Sequence, residues 1–169
     1  MSPLSPVEAA SHRAHLLIRE GAPRGEILTL LARAAEQASG PRTTVSILVI
    51  DEEGLLRNGA SPNLPRDYLD AIDRLKPHPK VGTCAAAAAT GQVVMTPDFQ
   101  ADEKWAELRH LPLALGYQGA WSTPIKSAKG SVLGTFGTYF RDRREPTADE
   151  IEMVRVLAGV AAQAIEATP

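Results

Sequence analysis

The chain has 169 residues and a formal net charge of −2, with 44% apolar and 22% charged residues. This length suits one domain with a sizeable core, and the composition is that of an ordinary globular protein. The small net charge gives no reason to expect a nucleic-acid partner, and no segment approaches the roughly 20 apolar residues of a membrane span. We therefore expect a cytoplasmic protein that binds neither nucleic acid nor membrane.

Two helices are predicted in the first 40 residues. Ser5 can cap the first helix, Pro6 fits its first position and Glu8 completes a capping box, while Gly21 follows its end. The second helix is predicted over residues 23–39, where apolar residues recur at helical spacing and Gly-Pro follows. Both helices should bury one apolar face.

The pattern then changes to strands that form two hairpins. Apolar and β-branched residues predict an inner strand over residues 43–51, and a tight turn leads to a returning strand over residues 55–61. A second hairpin is predicted from residues 117–127 and 131–140, which are joined by a short turn. Two hairpins favour an antiparallel sheet.

Two glycines lie inside the last predicted strand. Gly134 and Gly137 carry no side chain that could pack on a neighbour. A glycine at such a place marks close approach by a ligand or by another backbone. The sequence leaves both explanations open.

Short elements separate the two hairpins. Residues 66–75 predict a short helix, and residues 83–90 predict another that Thr83 would cap and Gly91 would end. A short strand is predicted over residues 92–96. Pro112 should then break the following helical segment into two pieces or shift its start.

The last helix is the clearest element of the sequence. Thr147 and Glu150 form a capping box, and Asp149 favours the helix N-terminus electrostatically. Two apolar stripes run along this helix: Ile151, Val154, Leu157, Ala161 and Ile165 in one, and Met153, Val156, Val160 and Ala164 in the other. So wide an apolar surface predicts either burial on both sides within the monomer or a dimer seam, and we favour the dimer.

This order of elements predicts an α+β fold. We expect a central antiparallel sheet of five to six strands, with the long N- and C-terminal helices on one face. Short helices and loops should cover the other face. Residues 1–22 are interpreted as an N-terminal helical extension and residues 23–167 as the domain itself.

Three stretches carry a resemblance to a known family: "GTCAAAAATGQVVMTPD", "AWSTPIKSAKGSVLGTFGTYF" and "PTADEIEMVRVLAGVAAQAIE". Together with the element order, they resemble a GAF domain, the small-molecule-sensing module of many bacterial signalling proteins, over about residues 25–166. Many bacterial members carry a GSCGTAA-like sequence where this chain reads GTCAAAA, so Ala85 stands in place of a glycine. Because of that departure, the ligand specificity of these relatives does not carry over directly to this chain.

The resemblance implies a location for the ligand and a route for the signal. In GAF domains, ligands sit between the sheet and the shorter helices. The two long terminal helices often dimerise and pass a signal to an attached histidine kinase, cyclase or DNA-binding domain. We therefore expect a homodimer that acts on such an output domain.

The start of the alanine-rich helix has a physical rationale as a binding site. The first turn of a helix leaves backbone N–H groups unpaired, and Ala86 stands where a capping box would need Glu or Gln. Small side chains would leave these donors accessible to an anion. Alternatively, the alanines simply pack on the sheet. The candidate ligand-binding residues are Gly82, Thr83, Cys84, Ala85, Ala86, Asp98, Trp105, Trp121 and Thr123.

The remaining candidates have plainer alternatives. Cys84 is the only cysteine, which excludes an intramolecular disulfide and a cysteine zinc site, and it is either reactive or a small buried apolar residue. Trp105 and Trp121 line either the pocket or the core. Asp98 braces a loop or contacts the ligand. No catalytic residues, metal ligands or cofactors are assigned.

We accordingly expect a non-enzymatic sensory or regulatory domain of a bacterial signal-transduction system. It would bind a small molecule, such as an anion, and signal through its terminal helices. One alternative is a ligand-free dimerisation or coupling module. A third is a thiol-dependent enzyme of the free methionine sulfoxide reductase type, which the single cysteine disfavours because no resolving thiol exists within the chain.

Overall fold

The computed structural model describes residues 5–167 of the chain. In chain order the elements are α1 (Pro6–Arg19), α2 (Arg24–Ser39), β1 (Thr43–Ile50), β2 (Leu56–Ala60), α3 (Arg66–Ala71), α4 (Cys84–Thr90), β3 (Val94–Thr96), a 3₁₀ helix (Glu103–Trp105), α5 (His110–Ala114), β4 (Gly119–Lys126), β5 (Val132–Phe140) and α6 (Ala148–Ala167). Of the predicted extension over residues 1–22, positions 1–4 lie outside the described residues, and α1 forms most of the rest.

The strands form one antiparallel sheet in the order β2-β1-β5-β4-β3. Both predicted hairpins are present. In the first, the Asp51 side chain accepts the backbone N–H groups of Glu53 at 2.9 Å and Leu55 at 3.0 Å, which fixes the turn. The observed α+β architecture and its five strands confirm the predicted fold class.

The long helices lie on one face of this sheet. Helices α2 and α6 pack directly on the strands, and α1 packs on α2 and α6. The largest core cluster lies in this layer and includes Leu31, Trp121, Phe136 and Leu157, each at most 1% exposed. Within residues 5–167, no helix combines the length and apolar character that crossing a bilayer requires.

Shorter elements cover the opposite face, and we call them the lid: α3, α4, the 3₁₀ helix and α5, with their connecting loops. Helix α4 packs on β4 and β5. Helix α3 is shorter than predicted because Arg74 adopts a left-handed φ of 61° and Leu75 bridges to Leu56 at the edge of the sheet. Pro112 lies inside α5, where its first-turn position needs no backbone donor.

Two of the three predicted capping residues, Ser5 and Thr147, cap their helices in the structure. The Ser5 side chain accepts the Glu8 N–H at 3.1 Å, and Thr147 and Glu150 bond reciprocally at 2.9 and 3.1 Å. The prediction that Thr83 caps α4 is wrong for its side chain, which makes no capping hydrogen bond. Thr83 has helical φ and ψ of −99° and −48° rather than the extended backbone of a capping residue.

The wide apolar surface of α6 is largely covered within the monomer. Val154, Leu157 and Ala161 of the first stripe are at most 1% exposed, and Val160 and Ala164 of the second are at most 5% exposed. They are buried because α6 contacts the sheet on one side and α1 and α2 on others. The width of the apolar surface is therefore not by itself an argument for a dimer seam.

Candidate functional site

The residues of β4 and β5 alternate between the helical layer and the lid. Trp121 packs with the helical core, whereas its neighbours Ala120 and Ser122 face the lid. On β5, Tyr139 packs against the lid and Phe136 against the helices. Alternation alone does not decide which set of strand residues faces the lid, and the structure assigns the set containing Ala120 and Ser122 to the candidate site.

Cys84 stands at the start of α4, directly over the sheet. Its Sγ lies 3.4 Å from Ser122 Oγ, and a Cβ added to Gly137 would approach this sulfur to 2.9 Å. Gly137 therefore leaves the room that the thiol occupies. Burial raises the pKa of Cys84, although the hydrogen bond from Ser122 opposes this rise. A thiol held neutral in this way is a poor nucleophile.

The alanine run packs against the sheet. Ala85, Ala86 and Ala87 are at most 1% exposed, and Ala85 belongs to a small apolar cluster with Leu48 and Leu56. The Ala85 carbonyl also accepts the His78 N–H at 3.0 Å, which ties the preceding loop to the helix. These contacts favour the packing interpretation of the run over an open helix start.

An aromatic cluster fills the space between the sheet and the far half of the lid. The Phe99 and Trp105 rings meet edge to face with centroids 4.6 Å apart, and the Tyr117 and Tyr139 centroids are 5.4 Å apart. The Tyr139 hydroxyl shares a 2.7 Å hydrogen bond with the Tyr68 hydroxyl. Burial raises the pKa of both Tyr68 and Tyr139, so the two hydroxyls stay neutral.

Trp105 carries the one unsatisfied donor of this cluster in the described part of the chain. The residue is 4% exposed, and its indole Nε1–H has no hydrogen-bond partner there. Its ring lies beside the loop before α4, since a Cβ on Gly82 would be 3.8 Å from the ring. The Gly82 N–H donates to the Lys104 carbonyl at 2.8 Å, which joins that loop to the 3₁₀ helix. An unpaired buried donor costs free energy, which a ligand oxygen would relieve.

Asp102 anchors this part of the lid. Its carboxylate accepts the Thr96 hydroxyl at 2.6 Å, the Lys104 backbone N–H at 3.0 Å and the Lys104 ammonium at 2.9 Å. Burial opposes its ionisation, but these hydrogen bonds outweigh burial and lower the pKa of Asp102. A carboxylate so fully engaged holds the Trp105 segment against the edge strand β3.

The structure brings together six of the nine predicted site residues: Gly82, Thr83, Cys84, Ala85, Ala86 and Trp105. Trp121 and Thr123 lie on the other face of β4, against the helices, as the register with Thr138 and Phe136 shows. Asp98 lies on the outer part of the lid, where it accepts the Gln100 N–H at 3.0 Å and pairs with Arg143 at 3.8 Å.

Sequence reasoning missed four residues of this region: Phe99, Asp102, Ser122 and Tyr139. Asp102 had a local signal, because an aspartate two residues before Lys104 is typical of a turn in which the side chain accepts the second following N–H. The other three had none, since their roles depend on which strand face meets the lid. Among residues 5–167, no cluster of His, Cys, Asp or Glu side chains is arranged to hold a metal ion.

The geometry defines a class of protein: a small α+β domain whose antiparallel sheet carries long helices on one face and a closed aromatic lid on the other. A GAF domain family model matches residues 21–166. The chain belongs to the GAF domain family.

One relative carries a name that states a sensing role. The chain is 34% identical over 154 residues to the methyl sulfide methyltransferase-associated sensor of Methanosarcina acetivorans. The match covers 89% of this chain and 15% of the relative, so the chain spans about one seventh of that protein.

Solved structures share the fold at lower identity. A domain of a protein described as a two-component sensor histidine kinase from Sinorhizobium meliloti has a TM-score of 0.68 at 22% identity, over 83% of this chain and 89% of that one. The type II free methionine-R-sulfoxide reductase of Thermoplasma acidophilum has a TM-score of 0.68 at 15% identity, over 93% of this chain and 95% of that one. At such identities the likeness is one of fold.

Proposed function

We propose that this domain is a sensory module of a signal-transduction protein and binds a small molecule between its sheet and its lid. The observation that carries the proposal is the buried Trp105 indole N–H without a partner in the described residues. Trp donates and cannot accept, so the ligand would offer an oxygen such as that of a carbonyl or carboxylate. The neighbouring rings of Phe99 and Tyr117 would contact its apolar part.

Ligand entry would require the lid to move. Phe99, Trp105, Tyr117 and Tyr139 are at most 4% exposed, so the lid is closed around its own aromatic side chains. The helical elements of the lid have three to seven residues, which is too short for an isolated helix to be stable, so each depends on its packing. A ligand would select a minor state in which the Trp105 segment is displaced.

The signal would leave through the terminal helices. Helix α6 packs on β4, whose residues alternate between lid and helical layer, and α1 is joined to α6 by a 3.0 Å hydrogen bond between His15 and Gln163. A displacement at Ala120 or Ser122 would therefore reach α6 through the same strand. In a cytoplasmic sensor, a histidine kinase or other output domain would read this shift, by analogy with the sensor relatives.

A ligand-free coupling module is the second candidate function. The observation that favours it is the aromatic cluster itself, which occupies the space that a ligand would need. A thiol-dependent reductase has less support. The only cysteine, Cys84, is buried under α4 with a raised pKa, whereas thiol chemistry needs an accessible thiolate.

Replacing Trp105 with phenylalanine tests the binding proposal. The change removes the indole N–H and keeps an aromatic ring, so a ligand found in a thermal-shift screen of small carboxylates and amides should bind about tenfold more weakly. Isothermal titration calorimetry on both proteins measures the difference.

Trp121→Phe is the matched control for this experiment. It also removes a buried indole N–H that has no partner in the described residues, but on the opposite face of the sheet. Ligand affinity should survive this change. Equal losses in the two variants, or a screen in which no compound raises the melting temperature, would contradict ligand binding at the lid and leave the coupling module.

The proposed homodimer has its own test. Large apolar side chains remain exposed on the helical layer, with Leu16 at 42% and Ile151 and Val156 at 37%. Val156→Arg should dissociate a dimer that uses this surface, and sedimentation equilibrium should give half the mass of the unchanged protein. The exposed Lys126 serves as control site, where Lys126→Glu should leave the mass unchanged. A monomeric unchanged protein would exclude the homodimer.

A further inference from the structure

A polar cleft lies next to the lid, at the end of the sheet where α2 ends, and Tyr117 borders both. It has a volume of about 550 Å³ and is lined by Arg33, Glu36, Thr44, Asn63, Tyr117 and Arg141, among others. This volume falls within the range of small-molecule sites. We propose that this cleft binds a small anionic metabolite through its carboxylate or phosphate group, with Arg33 and Arg141 as the cationic ligands.

Two of the side chains that offer acceptor oxygens in the cleft, Glu36 and Thr44, are already engaged. One Glu36 carboxylate oxygen accepts the Val45 backbone N–H at 2.9 Å, and the other accepts the Asn63 amide at 2.6 Å. Thr44 Oγ1 accepts the Tyr117 hydroxyl at 2.7 Å. A ligand that donates hydrogen bonds would therefore compete with protein donors for these oxygens.

The donors are in surplus. Arg33 is exposed and makes no hydrogen bond or ion pair with the residues that the structure describes, so its guanidinium retains its full donor capacity. The Thr44 hydroxyl, which accepts from Tyr117, keeps its own proton to donate. Arg33 and Arg141 line the cleft together with the engaged carboxylate of Glu36, and an incoming oxyanion would accept hydrogen bonds from both guanidinium groups.

Arg141 is held in place before any ligand arrives. Its Nη1 donates to the Leu115 carbonyl at 2.8 Å, and its guanidinium carbon lies 4.5 Å from the centroid of the Tyr117 ring. Gly116, with a left-handed φ of 88°, makes the space, because a Cβ there would come within 2.7 Å of this nitrogen. The remaining N–H groups of Arg141 are thus pre-oriented, which reduces the entropic cost of binding.

Calorimetric titration with inorganic phosphate and with succinate, each at low ionic strength, tests the inference and separates the two anion classes. At least one of them should give saturable heat with a dissociation constant near or below about 1 mM. Arg33→Gln should weaken that binding by about tenfold or more. The melting temperature without ligand should not change, because Arg33 holds nothing else in the described structure.

Arg13→Gln is the matched control. Arg13 is likewise exposed at the middle of a helix, on α1, but does not line this cleft. It should retain the affinity of the unchanged protein. The proposal is overturned if neither anion gives saturable heat at about 10 mM, ten times the expected constant. It is equally overturned if Arg13→Gln weakens binding as much as Arg33→Gln. Equal losses would indicate that surface arginines attract the anion electrostatically without a specific site. The inference does not depend on ligand binding at the lid.

Discussion

Glu150→Gln is expected to destabilise the domain by about 3 kcal/mol. The Glu150 carboxylate is 8% exposed and accepts both Arg144 nitrogens, at 2.6 and 2.9 Å, as well as the Thr147 N–H at 2.9 Å. The amide would leave the Arg144 guanidinium, 3.7 Å above the Phe140 ring, without its counter-charge. Urea denaturation followed by circular dichroism measures the loss.

The same residue should give the domain a characteristic sensitivity to acid. Burial alone would raise the pKa of Glu150, but the bonds from Arg144 and Thr147 outweigh it and lower the pKa from 4.5 to about 2. A carboxyl with a lowered folded-state pKa stabilises the protein above its unfolded pKa and loses this contribution as the pH falls. The stability difference between the unchanged protein and Glu150→Gln should therefore shrink between about pH 5 and pH 2.

Glu152→Gln is the control for Glu150→Gln. It removes a negative charge from α6 without breaking the hydrogen bonds between Glu150 and Arg144. Glu152 pairs with Arg155 at 2.6 Å, but both side chains are more than 60% exposed. Solvent screens such a pair, so its loss should lower the free energy of unfolding far less than the loss of the Glu150 carboxylate does. Similar losses in the two variants would contradict the distinct role of Glu150.

The run "RDRR" at residues 141–144 makes contacts that its own sequence does not predict. Its clustered charge predicts a solvated loop, because nothing local identifies a partner. In the structure, Arg141 lies over Tyr117, Asp142 binds Arg42 at 2.9 Å, and Arg144 holds the start of α6. Arg42 lies 100 residues from Asp142, so only the assembled fold brings that pair together, whereas Glu150 follows Arg144 by six residues.

The elements themselves were predictable because their signals are local. The capping box at Thr147 and Glu150 lies within four residues, and the hairpin turn at Asp51 within five. Hydrophobic periodicity over α2 and β1 predicts an amphipathic helix and an inner strand without any tertiary contact. The fold class followed from the order of these elements.

The face of a strand that meets the lid was not predictable. Alternation divides β4 into two sets, but both contain residues that suit a core, Trp121 in one and Ala120 in the other. The choice depends on which side α6 packs, and that is a property of the whole chain. The sequence prediction therefore includes Trp121 and Thr123, which face the helices, and omits Ser122, which faces the lid.

Gly134 and Gly137 of β5 allow close approach of other protein atoms rather than of a ligand. Gly137 makes room for the Cys84 thiol. Gly134 lies opposite Val49 of β1 and Ile125 of β4, between two hydrogen-bonded neighbours. A Cβ at Gly134 would lie well inside contact distance of the Leu48 carbonyl oxygen and 3.2 Å from Val49 Cα.

Gly134→Ala should accordingly destabilise the domain by more than about 3 kcal/mol, the upper range for overpacking, because the clash is with backbone that cannot rotate away. The expected measurement is a fall in the urea midpoint, or a failure to accumulate folded protein when the loss exceeds the stability of the domain. Gly159→Ala is the control, since nothing lies within 4 Å of a Cβ there and a helical glycine gains from the change. If Gly134→Ala retained the urea midpoint, β5 would not approach β1 this closely, and the sheet on which both proposed sites rest would need another register.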